Sequence, residues 1–388
     1  MNTLAAFAFW AASAVLAYTF VGYRILIAWF ARRRPAKDES SLPEPAPTVC
    51  AVVVAYNEER KIGARVENLL AAAYPAEKLR VLVVSDGSDD GTVAKVTALE
   101  NPRASAIALP ERRGKAAGLN AALAAIDEEI VVFTDSRQQF PPETIAQLAA
   151  HFGDPQIGAA SGSLEIRDAK SSAGQGIGAY WQFEKAIRAD ESRWDSCIGC
   201  TGAVYAIRRA AFTPIPEDTV LDDVVIPMQI ARQGFRVVHD PSAIAVDPQP
   251  LEPVAEQRRK RRTLAGNFQM LFRYPQWLAP GKSRLWWQLL SHKYLRLAAP
   301  VWLAVAFVSS ATLLAIPIYR AAFFVQAAMY GCALAGLCFP TLKSKAFSLP
   351  AGFVFLNFTT LQAFWHYLNC ANLHQWQRPA SREPTGDN

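Results

Sequence analysis

Val49-Cys50-Ala51-Val52-Val53-Val54-Ala55 is an unbroken apolar run, and Tyr56-Asn57-Glu58-Glu59 follows it directly. A strand covered on one face alternates apolar and polar residues. A short continuous run bounded by polar residues, with a helical pattern over Lys61–Ala72 behind it, reads as a strand buried on both faces that feeds a helix. The pattern recurs twice. Arg80–Ser85 ends in Asp86-Gly87-Ser88-Asp89-Asp90-Gly91-Thr92, and Glu129–Thr134 ends in Asp135. Successive βα units of this kind predict a mainly parallel sheet flanked by helices, with ligands beyond the carboxyl ends of the strands. All three runs end at that edge in acidic or amide side chains.

The rest of the chain sets the context. Of 388 residues, 51% are hydrophobic and 19% charged, which excludes a disordered protein and a single small domain. The net charge, 40 − 34 = +6, suits a membrane-facing or phosphate-binding protein, and no nucleic-acid partner is expected. The six cysteines are irregularly spaced, so no disulfide framework is visible. Cys197-Ile-Gly-Cys200 lacks a second ligand pair for zinc, and Gly174-Gln-Gly-Ile-Gly178 lacks the strand that a dinucleotide site requires.

A bilayer core about 30 Å thick needs about 20 apolar residues in a helix. Four stretches qualify: Leu4 to about Ile27, with Arg24 near enough to its end to snorkel, then Leu297–Ile318, Ala321–Phe339 and Phe347–Leu368. Arg32, Arg33, Arg34 and Lys37 follow the first span, and no positive charge precedes it. This predicts an uncleaved anchor with the following residues cytoplasmic. Counting onward puts Arg320 in an outer turn, Lys343 and Lys345 in a cytoplasmic turn, and the C-terminus outside. Pro280–Arg296 mixes Trp286, Trp287 and Tyr294 with Lys282, Arg284, His292, Lys293 and Arg296, the composition of an interfacial helix.

Several clusters carry chemistry. Asp86, directly after a buried strand and in a glycine-bearing turn, is placed to reach a nucleoside, although an Asx-rich turn capping the next helix has the same composition. Asp135 closes a strand where a carboxylate would meet a diphosphate through Mg²⁺ or Mn²⁺. Arg112-Arg113-Gly114-Lys115 precedes the helical Ala116–Ala125, so amides, a helix N-terminus and cations converge on a candidate anion site. Asp222-Asp223 opens a further helix. Two adjacent carboxylates raise each other's pKa, which suits a general base, while an acidic first turn is also favoured by the helix dipole. Gln257-Arg258-Arg259-Lys260-Arg261-Arg262 places a run of cations before the membrane region, suited to anionic lipid or a leaving diphosphate. Tyr180-Trp181-Gln182-Phe183-Glu184 reads as a helix whose aromatics pack in the core or line an acceptor groove.

Taken in order, the strings 52–59, 84–92, 113–120, Thr134-Asp135-Ser136, Gly199-Cys-Thr-Gly-Ala-Val-Tyr-Ala-Ile-Arg-Arg209, Asp222-Asp223 and the basic run resemble the membrane-integrated family 2 glycosyltransferases, which include cellulose and hyaluronan synthases. The resemblance covers about Pro47–Gln269. It implies a GT-A fold with a helical transmembrane region, and an inverting transfer from a nucleotide-diphospho-sugar with a divalent cation. It further implies that Tyr56, Glu58 and Asp86 hold the nucleoside and Lys115 assists donor binding. Asp135 would touch the metal or diphosphate, and Asp223, beside Asp222, would be the general base. Gln257, Arg258, Arg259, Arg261, Arg262, Trp181 and Gly202 would serve the diphosphate or acceptor. Two departures stand out. The family's Asp-x-Asp is here Asp135-Ser136-Arg137, and its Gln-x-x-Arg-Trp lacks the tryptophan, with Arg259 and Arg262-Thr263 offering a second register. The missing aromatic platform favours a lipid-linked or short-glycan acceptor over a long extruded polymer. A processive synthase and an inactive membrane subunit that kept the fold are the alternatives. The expected organisation is an anchor over 1–30, a linker over 31–47, the GT-A domain over 48–275, an interfacial helix over 276–296, three membrane helices over 297–370 and a polar tail over 371–388, in an inner membrane with the catalytic domain cytoplasmic.

Overall fold

The computed structural model describes residues 2–35, 41–166, 172–248, 253–339, 341, 342, 344–370, 373 and 374, with backbone alone over 172–181 and 253–255. Lys37, Lys343 and the tail beyond 374 lie outside the described residues. Helix α1 is Asn2–Arg32. The central unit then runs β1 (Val49–Ala55), α2 (Glu59–Leu70), β2 (Leu79–Ser85), α3 (Thr92–Thr97), β3 (Ala104–Ala108), α4 (Lys115–Ala125), β4 (Ile130–Thr134), α5 (Thr144–Ala150), β5 (Ile157–Ile166), α6 (Ser172–Trp194), β6 (Tyr205–Arg208), α7 (Asp222–Arg232), β7 (Arg236–Asp247) and α8 (Pro253–Arg273). Three long helices follow: α9 (Trp286–Thr312), α10 (Pro317–Cys338) and α11 (Lys345–Asn369).

The strands form one sheet in the order β3-β2-β1-β4-β6-β5-β7. β1 lies parallel to β2 and β4, β6 runs antiparallel to β4 and β5, and β7 returns parallel to β5. The sheet is mainly parallel and mixed, as expected. Every residue of β1 and β4 is buried. Cys50, Val52 and Val54 join one apolar layer, and Val49, Ala51, Val53 and Ala55 join the other. With period-two geometry, such a double-covered strand must be apolar at every position.

The four long helices are long and apolar enough to cross a membrane, and they leave Phe7, Val21, Val301, Val325 and Trp365 exposed. The stretch read as one span over Leu297–Ile318 breaks at Thr312. Pro317 stands at the start of α10, where its missing N–H costs nothing. Arg24 does not snorkel; it pairs with Asp190 of α6. Nor is 276–296 a separate in-plane helix, because Trp286 onward is the opening of α9. Lys282 and Arg284 are exposed, whereas the cations from His292 onward turn inward. His292 Nδ1 is 2.9 Å from Glu191 and Nε2 2.8 Å from Glu184, both on α6, and Arg296 pairs with Glu184. Tyr23 of α1 donates to the same Glu191 oxygen as His292, so a buried polar knot clamps α1, α6 and α9 together. His292→Ala would leave Glu184 with Arg296 and Glu191 with Tyr23, each short of one partner. We expect a loss of about 1.5–3 kcal/mol, read as lower thermal stability of the detergent-solubilised protein.

The C-terminus, expected outside, lies beyond the described residues, but the segment just after α11 returns to the central unit. Phe364 meets Phe268 of α8 (5.0 Å between centroids), Tyr367 stacks on Phe272, Leu373 joins the sheet's apolar core, and His374 reaches Gly114. Leu373 thus lies back against the central unit from which α9 departs, which the expected odd number of crossings after that unit does not accommodate. Cysteines introduced at Ser381 and at the exposed Asp127, with Cys332, Cys338 and Cys370 replaced, should therefore react with an impermeant maleimide from the same side. Opposite sidedness would refute the arrangement.

Candidate active site

The loops after β1 and β2 are bound to each other. The Asn57 amide donates to Ser88 Oγ (3.0 Å), that of Glu58 to Thr92 Oγ1 (2.9 Å) and that of Glu59 to Asp90 (3.1 Å). The acidic string thus divides its labour. Asp90 builds the turn, also accepting the Thr92 amide at 2.9 Å, whereas Asp86 points inward, nearly fully buried. Asp86 accepts the amides of Arg113 (2.8 Å) and Gly114 (2.9 Å). This corrects one expectation: those two amides at the start of α4 already serve a resident carboxylate rather than standing open to an external anion. Gly114 has φ +99°, a conformation that side-chain-bearing residues rarely adopt. Tyr56 lies under the Arg112 guanidinium at 4.0 Å, with Glu58 one turn of chain away and half-buried.

Lys115, first residue of α4, is the centre of charge. Its Nζ lies 3.0 Å from Asp135 Oδ1 at the end of β4 and 3.4 Å from Asp222 Oδ2 at the start of α7. Burial works against the ammonium, but Asp135, Asp222 and Asp223 outweigh it and hold the pKa above its ordinary value. Asp223 behaves oppositely. Burial and then Asp222 push its carboxyl up to about 6, against the opposing charges of Lys115, Arg188 and Lys293. Its backbone carbonyl accepts the Cys200 amide at 2.7 Å, and a Cβ on Gly202 would sit 2.9 Å from its Oδ2. Gly202 is therefore the residue that lets the 199–202 loop lie against the carboxylate. Arg188 of α6 steadies this loop through Thr201 Oγ1 at 3.0 Å.

The basic run does not act as a block, because a helix turns 100° per residue and distributes it. Arg262 is buried toward Asp222, Asp223 and Asp135; burial lowers its pKa and those carboxylates oppose the fall. Arg258 and Arg259 are exposed, the latter 3.8 Å from Glu256, and Gln257 is half-buried. Arg261 faces α11. Trp181 lies within α6, but its side chain is outside the described residues. Cys197 and Cys200 are buried free thiols, and burial pushes the former up to about 12.

Sequence reasoning gave no role to Arg188 or Tyr205 and did not foresee the partner of Arg137. Tyr205 of β6 is fully buried against Phe133, with its hydroxyl unbonded among the described residues. Burial and then Asp222 raise its pKa, which puts that hydroxyl at the carboxylate cluster. Arg137 pairs with the buried Asp247 of β7 at 2.5 Å. Strand phase could have signalled Tyr205, whereas the Arg137 pair joins positions too far apart in sequence to foresee.

Among the described residues no group of three histidines, cysteines or carboxylates could cage a metal ion. Asp135, its side chain about 25% exposed and one oxygen on Lys115, fits an ion held chiefly by diphosphate oxygens with one protein carboxylate.

Residues 50–214 match the family described as Glycosyl transferase family 2. An N-acetylglucosaminyltransferase of Rhizobium meliloti is 28% identical over 270 residues, 64% of this chain and 63% of the relative. A beta-monoglucosyldiacylglycerol synthase of Synechocystis sp. is 26% identical over 261 residues, 62% of this chain and 52% of the relative. The match thus spans less than two thirds of these relatives' own length. Among solved structures, a mannosyltransferase from Pyrobaculum calidifontis in complex with GDP-Man and Mn²⁺ superposes with a TM-score of 0.69 at 28% identity, covering 92% of this chain and 97% of that one. A matching domain, a shared mixed sheet and the helices that accompany it agree: residues 50–214 form a glycosyltransferase family 2 domain, on a GT-A-like fold.

Proposed function

We propose that the protein is a membrane-bound inverting glycosyltransferase that moves a hexosyl group from a nucleotide-diphospho-sugar to the hydroxyl of a lipid-linked or glycan acceptor. The observation that carries this reading is the meeting of Asp135, Lys115, Asp222, Asp223 and Arg262 in one place, with the Asp223 carboxyl pushed up to about 6 by burial and then Asp222. Asp223 takes the acceptor's proton as its oxygen attacks the anomeric carbon. The bond from that carbon to the diphosphate breaks on the opposite face, which inverts the configuration. Lys115 and Arg262 stabilise the negative charge gathering on the departing nucleoside diphosphate. Tyr56, Glu58 and Asp86 hold the nucleoside, and Gly202 lets its loop pack against the base. A divalent cation, when bound at Asp135, supplies further positive charge to the leaving group.

A base acts only when deprotonated. Transfer should therefore be lost as pH falls through about 6 and level off above it, as checked by kcat/KM between pH 5 and 8. The reading itself is tested with full-length protein in detergent, offered UDP-N-acetylglucosamine, UDP-glucose or GDP-mannose with membrane-lipid and oligosaccharide acceptors. One donor should release its nucleoside diphosphate and add one sugar to the acceptor by mass. A ladder of added sugars would overturn the single-transfer reading, and nucleotide-sugar binding without release for any acceptor would overturn transfer altogether.

A further inference from the structure

Resting on the role given to Asp223 above, we propose that Arg188 is a positioning residue that joins the buried knot of α1, α6 and α9 to the base, so that the packing of the long apolar helices sets how Asp223 is held. Glu184, Arg188 and Glu191 share one face of α6, at i, i+4 and i+7. A cation so spaced from two carboxylates ordinarily pairs with them along its own helix. Arg188 does not, because both are engaged elsewhere. Glu184 is held by Arg296 and by His292 Nε2 at 2.8 Å, and one oxygen of Glu191 by Tyr23 at 2.5 Å and His292 Nδ1 at 2.9 Å. The other Glu191 oxygen is buried without a hydrogen-bond partner among the described residues, so a rival seat for the guanidinium lies one helical turn away.

Arg188 reaches forward instead. It donates to Thr201 Oγ1 at 3.0 Å, and that hydroxyl donates in turn to the Gly162 carbonyl at 2.8 Å, while the Thr201 amide donates to Ser161 Oγ at 2.9 Å. The loop pinned by these bonds is the one whose Cys200 amide holds the Asp223 carbonyl and whose Gly202 lies against Asp223 Oδ2. Arg188 thus acts on the base twice, through the loop and through its charge, which opposes the rise of the Asp223 carboxyl. The other groups facing Asp223 are Asp222 of α7, Lys115 of α4, Arg262 of α8, Lys293 of α9, the Cys200 thiol and Tyr205 of β6. Arg188 also faces Lys293, the Cys197 thiol and His239 of β7.

The test follows the ionisation of Asp223 in the full-length protein in detergent by infrared difference spectroscopy, through the carboxyl band that Asp223→Asn removes. Arg188→Gln should raise the midpoint of that band from about 6 by about one pH unit, because an opposing cation is gone. Arg188→Lys keeps the cation and should leave the midpoint in place. Tyr23→Phe, far from the base, should raise it too, since Glu191 then draws Arg188 back along α6. Combined with Arg188→Gln it should add nothing, because both changes act through one guanidinium. An unmoved midpoint in Arg188→Gln would overturn the proposal. So would a Tyr23→Phe protein that loses thermal stability with its midpoint unmoved, or whose shift adds to that of Arg188→Gln. Sugar transfer by the same preparations separates the two claims: shifted midpoints without transfer by the wild type remove the transfer reading, and transfer with unmoved midpoints removes the coupling alone.

Discussion

Asp223→Asn should lower sugar transfer by about 10²–10⁴-fold, the usual contribution of a positioned general base, and leave nucleotide binding unchanged. The amide keeps the shape and the backbone contact: the Asp223 carbonyl still accepts the Cys200 amide, and the side chain still fills the space beside Gly202. What disappears is a carboxyl whose pKa of about 6 suits proton capture near neutrality. The split is read by comparing kcat with the calorimetric affinity for the nucleoside diphosphate. Wild-type turnover by the variant would remove Asp223 from the chemistry. The residual activity should also lose the acid limb near pH 6, since the group that titrates there is gone.

Lys115→Met should be damaging in a different way. Methionine matches the length of the side chain, so packing is nearly preserved, but Asp135 and Asp222 lose the ammonium at 3.0 and 3.4 Å. Stranding buried carboxylates costs about 3–5 kcal/mol. The pH dependence has a definite sign. The folded-state pKa of Asp223 already exceeds its ordinary 3.8, so its folded form gains from protonation, and stability from this group is present at low pH and falls as pH rises through about 6. Lys115 opposes that rise, and removing it widens the window. The variant's deficit in thermal midpoint should therefore be smaller at pH 5 than at pH 8. A deficit independent of pH would mean that Lys115 acts through packing, not charge.

Much of this architecture is legible in the residues, for reasons that also mark where legibility ends. β1, β2 and β4 declare themselves because a strand covered on both faces has nowhere to place a polar residue. β5 and β7 do not. β7 carries His239, Asp240 and Ser242 among its apolar residues, and no run of uniform character reveals it. The carboxylates at the strand ends are legible as candidates because the parallel-sheet edge is a property of topology. Which cation of the basic run meets them is not, since the choice of Arg262 over Arg258 depends on the rotational phase of α8. The knot of Glu184, Glu191, His292 and Tyr23 was hidden more deeply. Its members come from three helices, and hydropathy scores each residue against water or lipid, never against a partner more than a hundred positions away.

Arg137 also constrains which residues its loop can hold. Its guanidinium neutralises Asp247, which is only 4% exposed, and Gln138 leans on the same carboxylate at 3.3 Å. An acidic residue at position 137 by itself would set a second carboxylate against the buried Asp247, so an Asp-x-Asp arrangement in this loop needs a matching change on the far strand.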